Sequence, residues 1–272
     1  MNHWAKERGE RMPSSAAMGT YIYCVAHAAP LINTQTRLQA EAIGGSAHSL
    51  RILSADDLAA VVSDVPAGRL RVKRELLAAH EAVVLETMKY SDVIPLSFGA
   101  VAQSDEVVER LLQDAAFDLR QQLEAVAGCV ELDLKALWNR KRLFEEIVAE
   151  DEGIRAWRSA LAAPPISEQI ALGELTSEII ATKSDQEAQA ILNQLAPLAV
   201  GVRLNQPFTD MMALNAAFLV ERSGLEVFGA QVSEIAAAAE DRLILRYSGP
   251  VPPYHFINLS LSWEDGGYGL IE

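Results

Sequence analysis

Only two cysteines occur in the 272 residues, Cys24 and Cys129. They stand far apart in separate apolar, strand-like runs, so a disulfide framework does not organise this chain. Two buried free thiols are expected, with a single bridge or one reactive thiol as the remaining alternatives. Positive charge is also scarce: 23 Lys and Arg face 37 Asp and Glu, a formal net charge of −14. No basic face large enough to displace counterions is visible, which excludes nucleic-acid binding and suits a neutral or basic partner. No uninterrupted apolar run reaches the ~18 residues of a membrane helix, so no membrane span is expected.

The familiar catalytic patterns are missing as well. There is no Walker A loop, G-x-G-x-x-G, HExxH, C-x-x-C or G-x-S-x-G. Gly44-Gly45-Ser46 is too short and isolated for a phosphate cradle. The histidines His3, His27, His48, His80 and His255 are scattered, with no i,i+4 pair to make a metal face. His80 falls on an apolar helical stripe, where a satisfied core histidine is the ordinary reading and a haem ligand or base the sharper one. The acidic stretch Glu145-Glu146 and Glu150-Asp151-Glu152 reads as solvated helix surface rather than a cation site. No catalytic residue, metal site or cofactor is expected, and the chain is not read as an enzyme.

Half of the residues are hydrophobic and 22% charged, the profile of a globular protein with one large or two ordinary domains. Met1 to Thr20 hold Arg, Lys and Glu without an apolar h-region, which excludes a signal peptide. Residues 1–19 are expected to be a mobile leader, with Met18 an alternative start. Tyr21-Ile22-Tyr23-Cys24-Val25-Ala26-His27 is β-prone on both faces, as a central strand is. A short helix is expected over 33–43, stopped by Gly44-Gly45, then strands over 50–53 and 58–63. From Leu70 to Tyr90, Leu76, Leu77, Val83, Val84 and Met88 recur at helical spacing, with His80 on the same stripe.

Asp92 to Val101 then forms a fourth strand. Pro95 cannot donate a ladder hydrogen bond, which places it at a strand end, bulge or edge, and Gly99 marks a tight turn. The segment is expected to orient the two halves of the chain, with Phe98 packed beneath the turn. A connecting helix over 104–128 follows, capped by Ser104 and stopped by Gly128. Its buried stripe is Val108, Leu111, Leu112, Ala115, Leu119, Leu123 and Val126.

The second half repeats the scheme. A half-buried strand alternates over 129–137, and a helical insertion runs over about 139–195. Ser184 with Glu187, and Ser223 with Glu226, are capping boxes that would each open a helix. Strands are expected over 198–204, 212–220 and 243–247. The fold class is therefore α+β, as two tandem ferredoxin-like (βαββαβ-type) domains over 20–103 and 129–248. Residues 249–272 break the pattern as a stiff, Pro-rich C-terminal arm that packs back on its own surface or meets a partner's groove.

Several motifs together resemble the gas vesicle protein L/F family (GvpL/GvpF). They are Tyr21-Ile22-Tyr23, Leu77-Ala78-Ala79-His80 with Val84-Leu85-Glu86, Ile94 to Gly99, and Gly249-Pro250-Val251-Pro252-Pro253-Tyr254-His255-Phe256. They fall in the family's order and span about 20–257. Two positions depart: the family usually carries Arg where Ser97 stands and Trp where Val251 stands. The resemblance implies a non-enzymatic accessory or minor structural protein of gas vesicle assembly, cytoplasmic or vesicle-associated. Its implied partners are the small hydrophobic shell protein and other gas vesicle accessory proteins. Tyr21, Tyr23, His80, Pro95, Phe98, Gly99, Gly249, Pro250, Pro252, Pro253, Tyr254 and Phe256 are then structural or partner-binding candidates. A ferredoxin-like haem or small-ligand binder, including a ligand sensor, is the rival reading.

Overall fold

The computed structural model describes residues 18–32, 38–43, 49–66, 70–159, 165–264 and 267–271. The chain divides into two compact units, one up to Glu124 together with the residues from Leu259, the other Ala125–Asn258. Among the described residues no helix is long and apolar enough to cross a membrane.

In the first unit β1 (Met18–His27) leads into the short α1 (Ala28–Ile32), then β2 (Arg51–Ala55) and β3 (Leu58–Pro66). Helix α2 (Arg74–Thr87) and the short strands β4 (Val93–Pro95) and β5 (Val101–Ala102) follow. The sheet order is β2-β3-β1-β4, with β5 also on β1, and every pairing is antiparallel. As its two-faced apolar composition predicts, β1 is central, and Tyr21 to Ala26 are fully buried. Two helices, α3 (Asp105–Asp114) and α4 (Ala116–Ala125), come next. All seven residues of the expected stripe from Val108 to Val126 are buried.

Several sequence expectations change here. The expected helix over 33–43 is not present over 38–43, which is irregular; 33–37 and the Gly44-Gly45 stop lie outside the described residues. The helix of this crossover is α1, immediately after β1. Residues 1–17 of the expected leader also lie outside the described residues, and Met18 and Gly19 already belong to β1. The single fourth strand is two short ones separated by a turn, because Pro95 ends β4 and Gly99 takes φ +96°. The expected connecting helix breaks at Ala115. Its first half packs on β2 and β3, so this segment largely belongs to the first unit. Leu77, expected on the buried stripe of α2, is exposed, while His80, Val83, Val84 and Thr87 face inward.

The second unit starts with β6 (Cys129–Trp138) and three helices, α5 (Arg140–Glu150), α6 (Glu152–Ser159) and α7 (Ile166–Leu195). Strands β7 (Gly201–Leu204) and β8 (Met212–Glu221), helix α8 (Leu225–Ala239) and β9 (Leu243–Val251) complete it. The order is β7-β8-β6-β9, again all antiparallel. Leu132, Leu134, Ala136 and Trp138 of β6 join Phe218, Phe228, Ile191 and Leu195 in its main core.

The first expected capping box does not start a helix, whereas the second stands where α8 opens, with Phe228, Val232 and Ile235 buried as expected but without Ser223 as the cap. Ser184 and Glu187 lie inside the 30-residue α7, where the Ser184 hydroxyl accepts the Trp138 indole N–H at 2.9 Å. Glu187 meets the Arg242 guanidinium at 3.0 Å. Long-range partners have claimed both groups, which leaves the backbone free to continue as helix. Helix α8 is preceded by Gly224 at its N-cap, and Ser223 instead donates to Glu221 at 3.3 Å. The acidic α5 surface is likewise committed, since Glu146 holds both Arg242 at 2.7 Å and Lys183 at 3.5 Å. In the stretch expected to be a Pro-rich C-terminal arm, Gly249 to Val251 continue β9, Tyr254–Phe256 form a tight 3₁₀ turn, and β10 (Ser260–Glu264) pairs antiparallel with β11 (Gly267–Ile271). An edge strand tolerates Pro250 because no neighbour needs its N–H.

Candidate functional site

The motif residues gather in two clusters, one per unit. In the first, β1 supplies Tyr21 and Tyr23, α2 supplies His80, and the turn after β4 supplies Phe98 and Gly99. Tyr21 and Phe98 ring centroids lie 6.2 Å apart, and the Tyr23 and His80 rings stack at 5.7 Å. His80 Nε2 is 3.1 Å from the Leu96 carbonyl, which can only accept, so Nε2 carries the proton and Nδ1 the lone pair. The Tyr21 hydroxyl then donates to Nδ1 at 2.9 Å and accepts the Gly99 N–H at 3.1 Å. Tyr23 accepts the Ile43 N–H at 2.7 Å and lies 2.9 Å from the Ser63 hydroxyl.

Burial raises the pKa of both tyrosines and lowers that of His80. It also pushes the Cys24 thiol up to about 12, so this is an inert core cysteine. Both His80 nitrogens are engaged, which leaves no lone pair for a haem iron and makes His80 a core histidine. Pro95 is buried opposite Cys24 at the end of its edge strand. Phe98 is only half-buried, so it rims this cluster rather than filling it.

The second cluster is built by the Pro-rich segment folding over β6. Gly249 has φ +123°, and a Cβ there would stand 2.8 Å from the Glu131 carbonyl oxygen. Pro250 follows a cis peptide bond, and Pro252 and Pro253 are buried. Phe256 packs with Val126, Cys129, Ala217 and Leu219, and the Arg203 guanidinium lies 5.6 Å from its ring centre. Tyr254 remains exposed. Glu131, which alternation along β6 does not mark as special, is 1% exposed and takes two bonds from His255. The His255 backbone N–H donates to Oε2 at 2.8 Å and Nδ1 to Oε1 at 2.6 Å. Burial raises the Glu131 pKa, and these bonds pull it back. The sequence signal for this contact was weak, because its partners are 124 positions apart.

A third feature was not legible in the sequence. Helices α5, α6 and α7 and the loop before β8 enclose a groove of about 1030 Å³. Phe144, Trp157, Leu172, Ile180, Phe208 and Met211 line it, and a neighbouring hollow of about 640 Å³ shares Phe144, Trp157 and Leu172. Trp157 is 43% exposed and Phe208 63%. Ile166 and Ile170 of α7 are exposed as well. A groove of this size walled by exposed aromatics suits an apolar segment of a partner.

The family model described as gas vesicle synthesis protein GvpL/GvpF matches residues 19–258. Gas vesicle protein F of Streptomyces sp. (strain CB03234) is 29% identical over 243 residues, covering 88% of this chain and 100% of the relative. Gas vesicle protein F2 of Halobacterium salinarum is 30% identical over 241 residues, 87% of this chain and 93% of the relative. The crystal structure of GvpF from Anabaena sp. PCC7120 is similar with a TM-score of 0.75 and 25% identity, covering 89% of this chain and 99% of that one.

Proposed function

The chain belongs to the gas vesicle synthesis protein GvpL/GvpF family, and from that premise we propose that it is an accessory protein that binds the small hydrophobic shell protein and helps nucleate or build the vesicle. Family membership carries a role in gas vesicle formation. The observation that supports shell-protein binding is the aromatic groove of the second unit. An apolar helix of an aggregation-prone subunit would bury there surface that otherwise drives it to self-associate. The net charge of −14 keeps such a carrier soluble while its groove is filled. The chain is read as non-enzymatic and cytoplasmic, working with other gas vesicle proteins.

The finer architecture goes with this reading. Each sheet runs second-third-first-fourth strand, with a helical crossover before the second and fourth strands. That antiparallel order supports a ferredoxin-like βαββαβ unit in each half, the second enlarged by α5, α6 and α7.

Complementation tests the proposal. Deleting the gene should abolish or deform vesicles, and the wild-type chain should restore them. A chain carrying Trp157→Glu and Phe208→Glu should not restore them at equal expression. Normal buoyant vesicles in the clean deletion would sink the reading.

A further inference from the structure

We propose that Glu131, Asp133 and His255 form a binding site for one divalent transition-metal cation. One carboxylate oxygen from each acid and one imidazole nitrogen lie within 4.8 Å of one another. Two oxygens and one nitrogen are a donor set that suits zinc or manganese, with solvent completing the coordination. Spacing along the chain gives no hint of it, because the histidine joins the two acids only through the fold.

The local backbone is shaped around this point. Between Glu131 and Asp133, β6 advances two residues while β9 advances three, from Ser248 to Val251, which is a bulge. Bulges of this kind re-aim the chain beside functional groups. Here the bulge, with Gly249 pressed against the Glu131 carbonyl, precedes the turn that brings His255 back over β6.

The charges also call for a cation. Glu131 is almost fully buried and Asp133 half-buried, two like charges facing each other. The Asp133 carboxylate makes no hydrogen bond or ion pair among the described residues. Arg203, across Ala217 in the sheet, lies over the Phe256 ring and pairs with neither carboxylate. Lys135 lies 6.0 Å from the Phe208 ring centre and pairs with neither acid either.

Among the described residues the side-chain partner of the Glu131 carboxylate is His255, at 2.6 Å. Ligands about 2.0–2.2 Å from a tetrahedral ion stand about 3.4 Å apart, so this contact must open by less than about 1 Å. His255 is 41% exposed on its side chain, so its ring has room to make that shift. A bound cation would staple the terminal turn to β6.

The test is calorimetric titration of chelator-stripped, full-length protein with Zn²⁺ and, separately, Mn²⁺. The expected result is saturable binding of one cation per chain, with a raised melting temperature. Asp133→Asn and His255→Gln should each weaken binding by roughly tenfold or more. The Asp133 carboxylate has no hydrogen-bond partner among the described residues to lose, so its variant should keep the wild-type circular dichroism spectrum and remain a valid test. Absence of one-to-one binding in the wild type, or wild-type affinity retained in either variant, would overturn the site.

Discussion

The Tyr21 hydroxyl lies 2.9 Å from Nδ1 of His80 and also receives the Gly99 N–H, so one side chain ties β1 to α2 and to the turn after β4. Removing that hydroxyl leaves a buried imidazole nitrogen without its donor and an amide without its acceptor. Tyr21→Phe is expected to lower stability by about 1–3 kcal/mol. Urea denaturation followed by circular dichroism measures it, and an unchanged midpoint would show that water takes both places.

The burial of His80 makes the first unit sensitive to acid. His80 has a folded-state pKa below its ordinary 6.5, because burial disfavours the charged ring. Its contribution is therefore complete above pH 6.5 and is lost as pH falls from there towards the folded value, since the unfolded chain takes up the proton first. Stability measured between pH 7.5 and 5.5 should fall in the wild type, in steps of about 1.4 kcal/mol per unit at most for one group. His80→Gln should be less stable at pH 7.5 and show a shallower slope.

Phe98 gives a graded case. Full burial would make Phe98→Ala cost ~3–5 kcal/mol, but the ring is half-buried at the edge of the tyrosine cluster, so a loss of about 2 kcal/mol is expected. Thermal melting of the variant decides between the two.

Gly249→Ala should be more damaging than its size suggests. The new methyl would stand 2.8 Å from the Glu131 backbone oxygen, at a φ of +123° that an alanine resists. Backbone strain and overpacking together give roughly 2–4 kcal/mol. Urea denaturation followed by circular dichroism measures that loss.

Legibility in the sequence followed the range of the contacts. The centrality of β1 and the buried stripe from Val108 to Val126 could be read because both patterns are local, periodic and apolar. The motif residues Tyr21, Tyr23, His80, Phe98 and Gly99 do converge, and the fold explains why a histidine sits on an apolar stripe. The continuity of α7 through Ser184 and Glu187 was hidden, because Trp138 and Arg242 decide what those polar side chains do. Glu131 looked like the outward residue of a half-buried strand. Only the return of the terminal turn, with Phe256 on Cys129 and Leu219, buries it. The groove was invisible for the same reason: Phe144, Trp157 and Phe208 come from three separate segments.

The most direct measurement is capture of the shell protein by purified chain, wild type against Trp157→Glu with Phe208→Glu. Both side chains are substantially exposed, so the variant should melt close to the wild type. The wild type should retain the shell protein and the variant should lose it. Retention by both, or by neither, would contradict the groove as the place where the shell protein binds.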